Sequence, residues 1–238
     1  MRRIGLKKLL FCGNLLLILL ISICRAQSPV SGRQQQQTGK AFLINVPDSL
    51  QSAPTDLYYS GFPYHLDGEG WYSPFSTRTT AVRLSGHYYF QGSAFQGVHF
   101  SGMGAPVRRF GFRGYYDEFA ENYKGGYRYQ RDYGIGAEYH IFRRINGLIL
   151  AGLGAAVWQQ TDTQYFPTIH VAAEYYLKKP WSFQLFYIAG KPDQGNFSIF
   201  RFTFSFHFYR SSFYIGYNYL SFSRDKKNGI IAGSRIFF

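Results

Sequence analysis

The 238-residue chain has almost no cysteine: Cys12 and Cys24 are its only two. Beyond residue 24 no disulfide can form, which excludes the small bridge-stapled secreted folds and leaves stability to packing or to a bilayer. Charged residues make up only 16% of the chain and are scattered among aromatics. No basic helical face and no RNP-like strand motif is present, which excludes nucleic acid as a partner. No apolar run reaches the ~20 residues of a membrane-crossing helix. The longest, residues 9–23, is interrupted by Cys12, Gly13, Asn14 and Ser22. There is no G-x-S-x-G element, no P-loop and no glycine-rich dinucleotide fingerprint after a strand. No cofactor is expected.

The apolar run at the start has another use. Arg2, Arg3, Lys7 and Lys8 precede it, and Cys24-Arg25-Ala26 follows with small residues where a signal peptidase reads. Residues 1–26 are therefore expected to be a secretory signal cut before Gln27. Ile23 is too bulky for a lipoprotein box around Cys24. Cleavage leaves 21 basic against 13 acidic residues, a net charge of +8. That sign suits a surface facing anionic lipid or lipopolysaccharide.

What the chain has in excess is aromatic: 24 Phe and 21 Tyr, beside 26 Gly. Residues 27–77 show no lasting periodicity. A polar, low-complexity stretch at 31–40 is followed by Pro54, Gly61, Pro63, Gly68, Gly70 and Pro74, which punctuate a Tyr-rich segment. This segment reads as a periplasmic arm, a partner-binding element or a plug.

From Thr79 a period-two pattern takes over. Val82, Leu84, Gly86, Tyr88 and Phe90 alternate with Arg83, Ser85, His87 and Tyr89. Residues 94–103 alternate more weakly, and a long Arg/Tyr-rich segment runs to Gly126. Tyr133, Ile135, Ala137 and Tyr139 then oppose Asp132, Gly134, Gly136, Glu138 and His140, and six further strands follow to the end of the chain. Connections at 143–147, 178–180 and 209–212 are tight. Those at 161–165, 191–196 and 223–228 are longer, as expected for periplasmic turns and outer loops. Gly134, Gly136, Gly152 and Gly154 form small-residue stripes where bulk must be avoided. Seven strands are counted from Tyr127, so an odd number precedes it. The expected fold is all-β, an antiparallel transmembrane barrel of eight strands, with ten as the alternative, over residues 78–238.

The chain ends on the alternating strand 229–238, which must be paired on both edges. Together with the Ala26-Gln27 cleavage context and the alternating strands, this ending resembles that of small bacterial outer-membrane β-barrels, the OmpX-like and Bacteroidota barrel class. The resemblance implies a Gram-negative outer membrane and a final strand whose Ile236 and Phe238 are read by the barrel assembly machinery. It covers residues 78–238 and brings no catalytic residue.

In such a barrel the aromatic phase faces lipid and the polar phase faces the lumen. A soluble barrel is disfavoured because unpaired charges in a dry core are costly. At eight strands side chains fill the interior. A lumenal network is therefore expected from Arg83, Arg128, Asp132, Glu138, His140, His170, Glu174, Arg201, His207 and Arg235, with His87. Glu138 and Glu174 are expected to face Arg201 and Arg235. No histidine pair has a spacing that fixes a metal site.

Basic residues assigned to the outer rim, namely Arg108, Arg109, Arg113, Lys124, Arg224, Lys226 and Lys227, are candidates for lipopolysaccharide phosphates. His99 and Ser101, two apart on a strand, share a face, and Asp117, Glu118 or Glu121 could orient the histidine as a hydrolytic triad requires. This H-x-S element resembles that of outer-membrane lipid A deacylases, where it lies on a late strand and is followed by Asn; here it is early and Gly102 follows. The first functional expectation is a non-enzymatic structural or accessory barrel that binds another envelope protein through its arm and outer loops. The alternatives are a lipid A or phospholipid esterase and a narrow passive channel.

Overall fold

The structure is a computed structural model, and it describes residues 57–64, 70–73, 76, 78–92, 95–107, 109–123, 125–193, 195–223 and 225–238. The expected signal (1–26) and polar leader lie outside the described residues, as do Arg108, Lys124 and Arg224.

Two short strands, β1 (Tyr58–Tyr59) and β2 (Tyr72–Ser73), pair antiparallel with each other. Ten long ones follow: β3 (Ala81–Gln91), β4 (Phe95–Val107), β5 (Phe110–Tyr123), β6 (Gly126–Arg144), β7 (Gly147–Gln159), β8 (Thr163–Tyr176), β9 (Trp181–Gly190), β10 (Phe197–Phe208), β11 (Ser211–Phe222) and β12 (Asp225–Phe237). Each pairs antiparallel with its sequence neighbours, and β12 pairs with β3 to close the barrel. Phe238 takes part in that seam: its N–H donates to the Val82 carbonyl at 2.9 Å, and Val82 N–H returns the bond at 3.2 Å. Closure pairs the backbone along every strand edge, the condition a sheet must meet in hydrocarbon.

The period-two pattern decides which side is which. Val82, Leu84, Ile135, Leu153, Ile169, Phe202, Phe213, Ile215 and Ile230 are exposed on the outer wall, while Arg83, His87, Asp132, Glu138, His140 and Glu174 are buried inside. This is an inside-out protein with a polar core and an apolar surface. The glycine stripes leave room within that core. An added Cβ at Gly134 would stand 2.7 Å from the Tyr115 ring, and one at Gly136 3.0 Å from the His170 ring.

Ten strands, not eight, make the wall. Residues 79–103 hold two strands rather than one, β3 ending at Gln91 and β4 starting at Phe95. The Arg/Tyr-rich segment expected as an outer loop is β5, whose alternation is masked by its composition. Phe119 points inward and is buried, whereas Glu118 lies on the outer side and pairs with Arg131 at 3.3 Å. The loop asymmetry also shrinks, because β8 begins at Thr163 and β12 at Asp225. Only the connection at 191–196 keeps its expected length.

The described part of the N-terminal segment fills the barrel mouth at the end where β3 starts and β12 finishes, called here the near end. Tyr59 stacks on Tyr72 at 5.0 Å, Trp71 meets Phe237 edge-on at 6.1 Å, and Arg83 lies 4.6 Å over the Trp71 ring. Tyr64 donates to the carbonyls of Leu177, at 3.1 Å, and Trp181. Tyr59, Trp71 and Tyr72 are buried. At the far end, Tyr89, Phe95 and Phe119 pack together, and Trp158 stacks on Phe222 at 4.4 Å.

Candidate functional site

Between the two aromatic closures lies a ladder of polar side chains, each set by strand register. Nearest the plug, Tyr72 is hydrogen-bonded to His140 Nδ1, and Ser182 to His207 Nε2 at 2.6 Å. Burial pushes the Tyr72 hydroxyl well above the usual tyrosine range and raises that of Tyr59.

Above them sit two ion pairs. Arg83 on β3 donates to Glu174 on β8 at 2.5 Å, and Glu174 also accepts from Tyr176 at 2.8 Å and Gln184 at 2.7 Å. Arg113 on β5 pairs with Glu138 on β6, with His170 Nε2 at 3.3 Å from the same carboxylate oxygen. Met103 Sδ lies between the two arginines, at 3.6 and 3.7 Å. Glu138 and Glu174 are thus held by Arg113 and Arg83, not by Arg201 and Arg235 as expected. Arg113 is a lumenal residue, and its assignment to the outer rim is overturned by the strand character of β5.

The middle layer is centred on His99. Register places His99 opposite Asp117 and Ser101 opposite Ser85. Asp117 Oδ1 holds His99 Nδ1 at 2.8 Å, which turns Nε2 toward Ser101 Oγ at 3.0 Å. Ser101 Oγ is 2.7 Å from Ser85 Oγ. Arg201 reaches His99 Nε2 at 3.3 Å and Asp117 at 3.8 Å, and is braced by Asn218 at 3.0 Å. His87 stacks on His99 at 4.3 Å and bonds Tyr214 through Nδ1 at 3.0 Å. Of the three acids that sequence offered to the H-x-S pair, the fold selects Asp117. The order Ser–His–Asp is that of a nucleophile, its base and an orienting carboxylate. Its depth argues against ready use: His99 and Asp117 are buried, and the adjoining void leaves about 10 Å³ for the centre of a water.

His87, His99 and Asp117 also bring three ligand-type atoms within 4.8 Å of one another. A divalent cation does not suit them. The Arg201 guanidinium already stands against His99 and Asp117, and both His99 nitrogens are engaged. His140, His170 and His207 do not converge, each having its own partner.

The other sequence-selected residues are placed as follows. Asp132 is fully buried and accepts from Tyr115 at 3.2 Å. Arg128 sits in the inward phase of the far rim, opposite Glu121. Ile236 and Phe238 face the outer side of the closing strand, with Phe238 exposed. Arg109 lies in the near-end turn between β4 and β5 and donates to the Tyr139 hydroxyl at 3.1 Å, so it is not on the far rim. Lys227 is turned inward, 2.9 Å from Glu121 and 4.4 Å over the Phe95 ring. Lys226 is exposed at the far end.

No protein-family model matches the chain, and no curated protein does. Among solved structures it is similar to a loop L8 deletion mutant of OmpT, an outer membrane protein of Vibrio cholerae. The identity is 13%, over 65% of this chain and 62% of that one, with a TM-score of 0.34. In-vitro folded OmpT of the same organism is similar at 12% identity, over 65% and 64% of the two chains, with a TM-score of 0.31. The chain thus spans less than two thirds of these proteins. The apolar outer wall, polar core and closed seam speak for themselves: this is a transmembrane β-barrel of the kind Gram-negative outer membranes carry.

Proposed function

We propose that the protein is a non-conducting integral barrel of the Gram-negative outer membrane, with a structural or accessory role. One observation carries this reading: the lumen is filled by paired side chains and capped by aromatics at both ends. A ten-stranded barrel used for passage would need an open axis. The near-end plug belongs to the chain itself, so contact with an envelope partner falls to the stretch before residue 57 and to the short far-end turns. Lipopolysaccharide is the lipid partner that exposed Lys226 at the far end fits best. The test is conductance of the refolded chain in planar bilayers. The expected record is flat at 1 M KCl, and stable unitary steps would overturn the reading.

A second reading, a lipid or ester hydrolase, is favoured by the Ser101–His99–Asp117 geometry. In it Ser101 is the nucleophile, His99 takes its proton through Nε2, and Asp117 holds the imidazole. It requires an acyl group to reach mid-lumen. A fluorophosphonate probe labelling the native barrel, but not the Ser101→Ala variant, would establish a reactive serine. Absence of label in detergent and in liposomes would dismiss it.

A further inference from the structure

We infer that the lumen holds a small inorganic anion, of halide size, beside Arg235. A void in the middle layer is lined by Arg83, Arg113, Arg201 and Arg235, by the Ser85 and Ser101 hydroxyls, and by neutral or aromatic side chains. No carboxylate lines it among the described residues.

The acids around it are turned to other work. Glu174 is taken by Arg83, Glu138 by Arg113, and Asp117 by His99 with Arg201 beyond. Arg235 has no carboxylate in direct contact among the described residues; Glu174 is reached only through Gln184. Its guanidinium donates to Ser205 at 3.1 Å, Gln184 at 2.7 Å and Thr203 at 2.8 Å, all neutral, and lies 4.2 Å over the Tyr214 ring. Of the other inward carboxylates, Asp132 on β6 stands opposite Asp117 and accepts from Tyr115, and Glu121 at the far rim pairs with Lys227. The four guanidiniums that line the void thus have three carboxylate partners among them, and the one left without is only 5% exposed.

A buried cation without a counter-charge is costly in low dielectric. An anion in the void reduces that cost by supplying the counter-charge. Size selects its class. The void leaves about 20 Å³ for the centre of a water-sized sphere, which at ~10–15 Å³ per water suits one monatomic ion and not a phosphate ester. The inference is independent of whether Ser101 is reactive.

Bromide is the probe. In crystals grown in sodium bromide, one anomalous peak is expected within hydrogen-bonding reach of the Arg235 guanidinium, absent from Arg235→Gln. At constant ionic strength, replacing gluconate by bromide should raise the unfolding midpoint of the wild-type barrel and saturate. Ser85→Ala, which keeps every arginine, should weaken the apparent bromide affinity about tenfold, the weight of one hydrogen bond to a charged group. That variant keeps the test alive if Arg235→Gln does not refold. A void without bromide at saturating concentration overturns the inference. So does a peak unaccompanied by saturable stabilisation, which would mean binding at crystal concentration only.

Discussion

His170 rests on the bare backbone of Gly152: an added Cβ at 152 would stand 2.3 Å from His170 Nε2 and 2.2 Å from the Ala137 carbonyl oxygen. Neither the strand carbonyl nor the imidazole beside Glu138 can retreat without breaking the layer. Gly152→Ala should therefore cost about 3 kcal/mol, the upper range for overpacking a tight interior. Gly104→Ala, whose Cβ would meet nothing within 4 Å, should be silent. Urea unfolding followed by heat-modifiable gel mobility compares the two. Equal midpoints would refute the seat.

The Arg83–Glu174 pair joins β3 to β8 across the lumen, with side chains 4% and 3% exposed. Removing one partner leaves the other charge buried, so Arg83→Met and Glu174→Gln should each destabilise by about 3–5 kcal/mol. The double variant should recover much of the loss, because it removes both desolvation costs. Additive losses in the double-mutant cycle would show that the two residues act separately.

Tyr72 and Tyr59 are held neutral by burial in the plug. Below about pH 10 both are neutral in folded and unfolded chains alike. Above it the unfolded chain releases protons that the folded one keeps, so stability falls as pH rises from there toward the folded values. Tyr72→Phe should make the unfolding midpoint fall less steeply between pH 9.5 and 11.5. An unchanged slope would mean that the plug tyrosines ionise freely.

Lys226 and Lys227 are neighbours with different prospects. Lys227 is engaged by Glu121 and Phe95, whereas Lys226 faces outward at the far end. Lys226→Ala should weaken binding to lipopolysaccharide-containing liposomes and leave the unfolding midpoint within about 0.5 kcal/mol of wild type. Lys227→Ala should lower stability and leave liposome binding unchanged. Reversed results would place the lipid contact on Lys227.

Much of this was legible in the residues. Strands β6 to β12 announce themselves because outward Phe, Tyr and Ile alternate with inward polar groups. The lumenal residues Arg83, Asp132, Glu138, Glu174 and Arg235 follow from that phase alone. β5 was hidden because its composition inverts the rule: Glu118 stands outside and Phe119 inside. With the strand hidden, Arg113 could not be seen as the partner of Glu138, although it shares the parity of Tyr115 and Asp117. Nor could spacing choose among Asp117, Glu118 and Glu121 for His99. That choice is made by register, which links residues 18 apart through a turn. The void beside Arg235 depends on residues from β3, β4, β5, β9, β10, β11 and β12 at once, and no local pattern contains it.

The seam between β12 and β3 has a consequence for biogenesis. It joins the first and last strands of the wall, and an added Cβ at Gly233 on β12 would stand 2.5 Å from His87 Cβ on β3. Arg235, also on β12, supplies the lumen with its least-compensated cation. Until the last strand docks, the growing sheet is an open trough whose polar row needs water while its back needs lipid. The interior can therefore dry only once, all together, when the first and last strands of the wall meet. Such a chain has no half-built resting state, and anything that delays the thirteen residues of its last strand leaves the whole polar row wet.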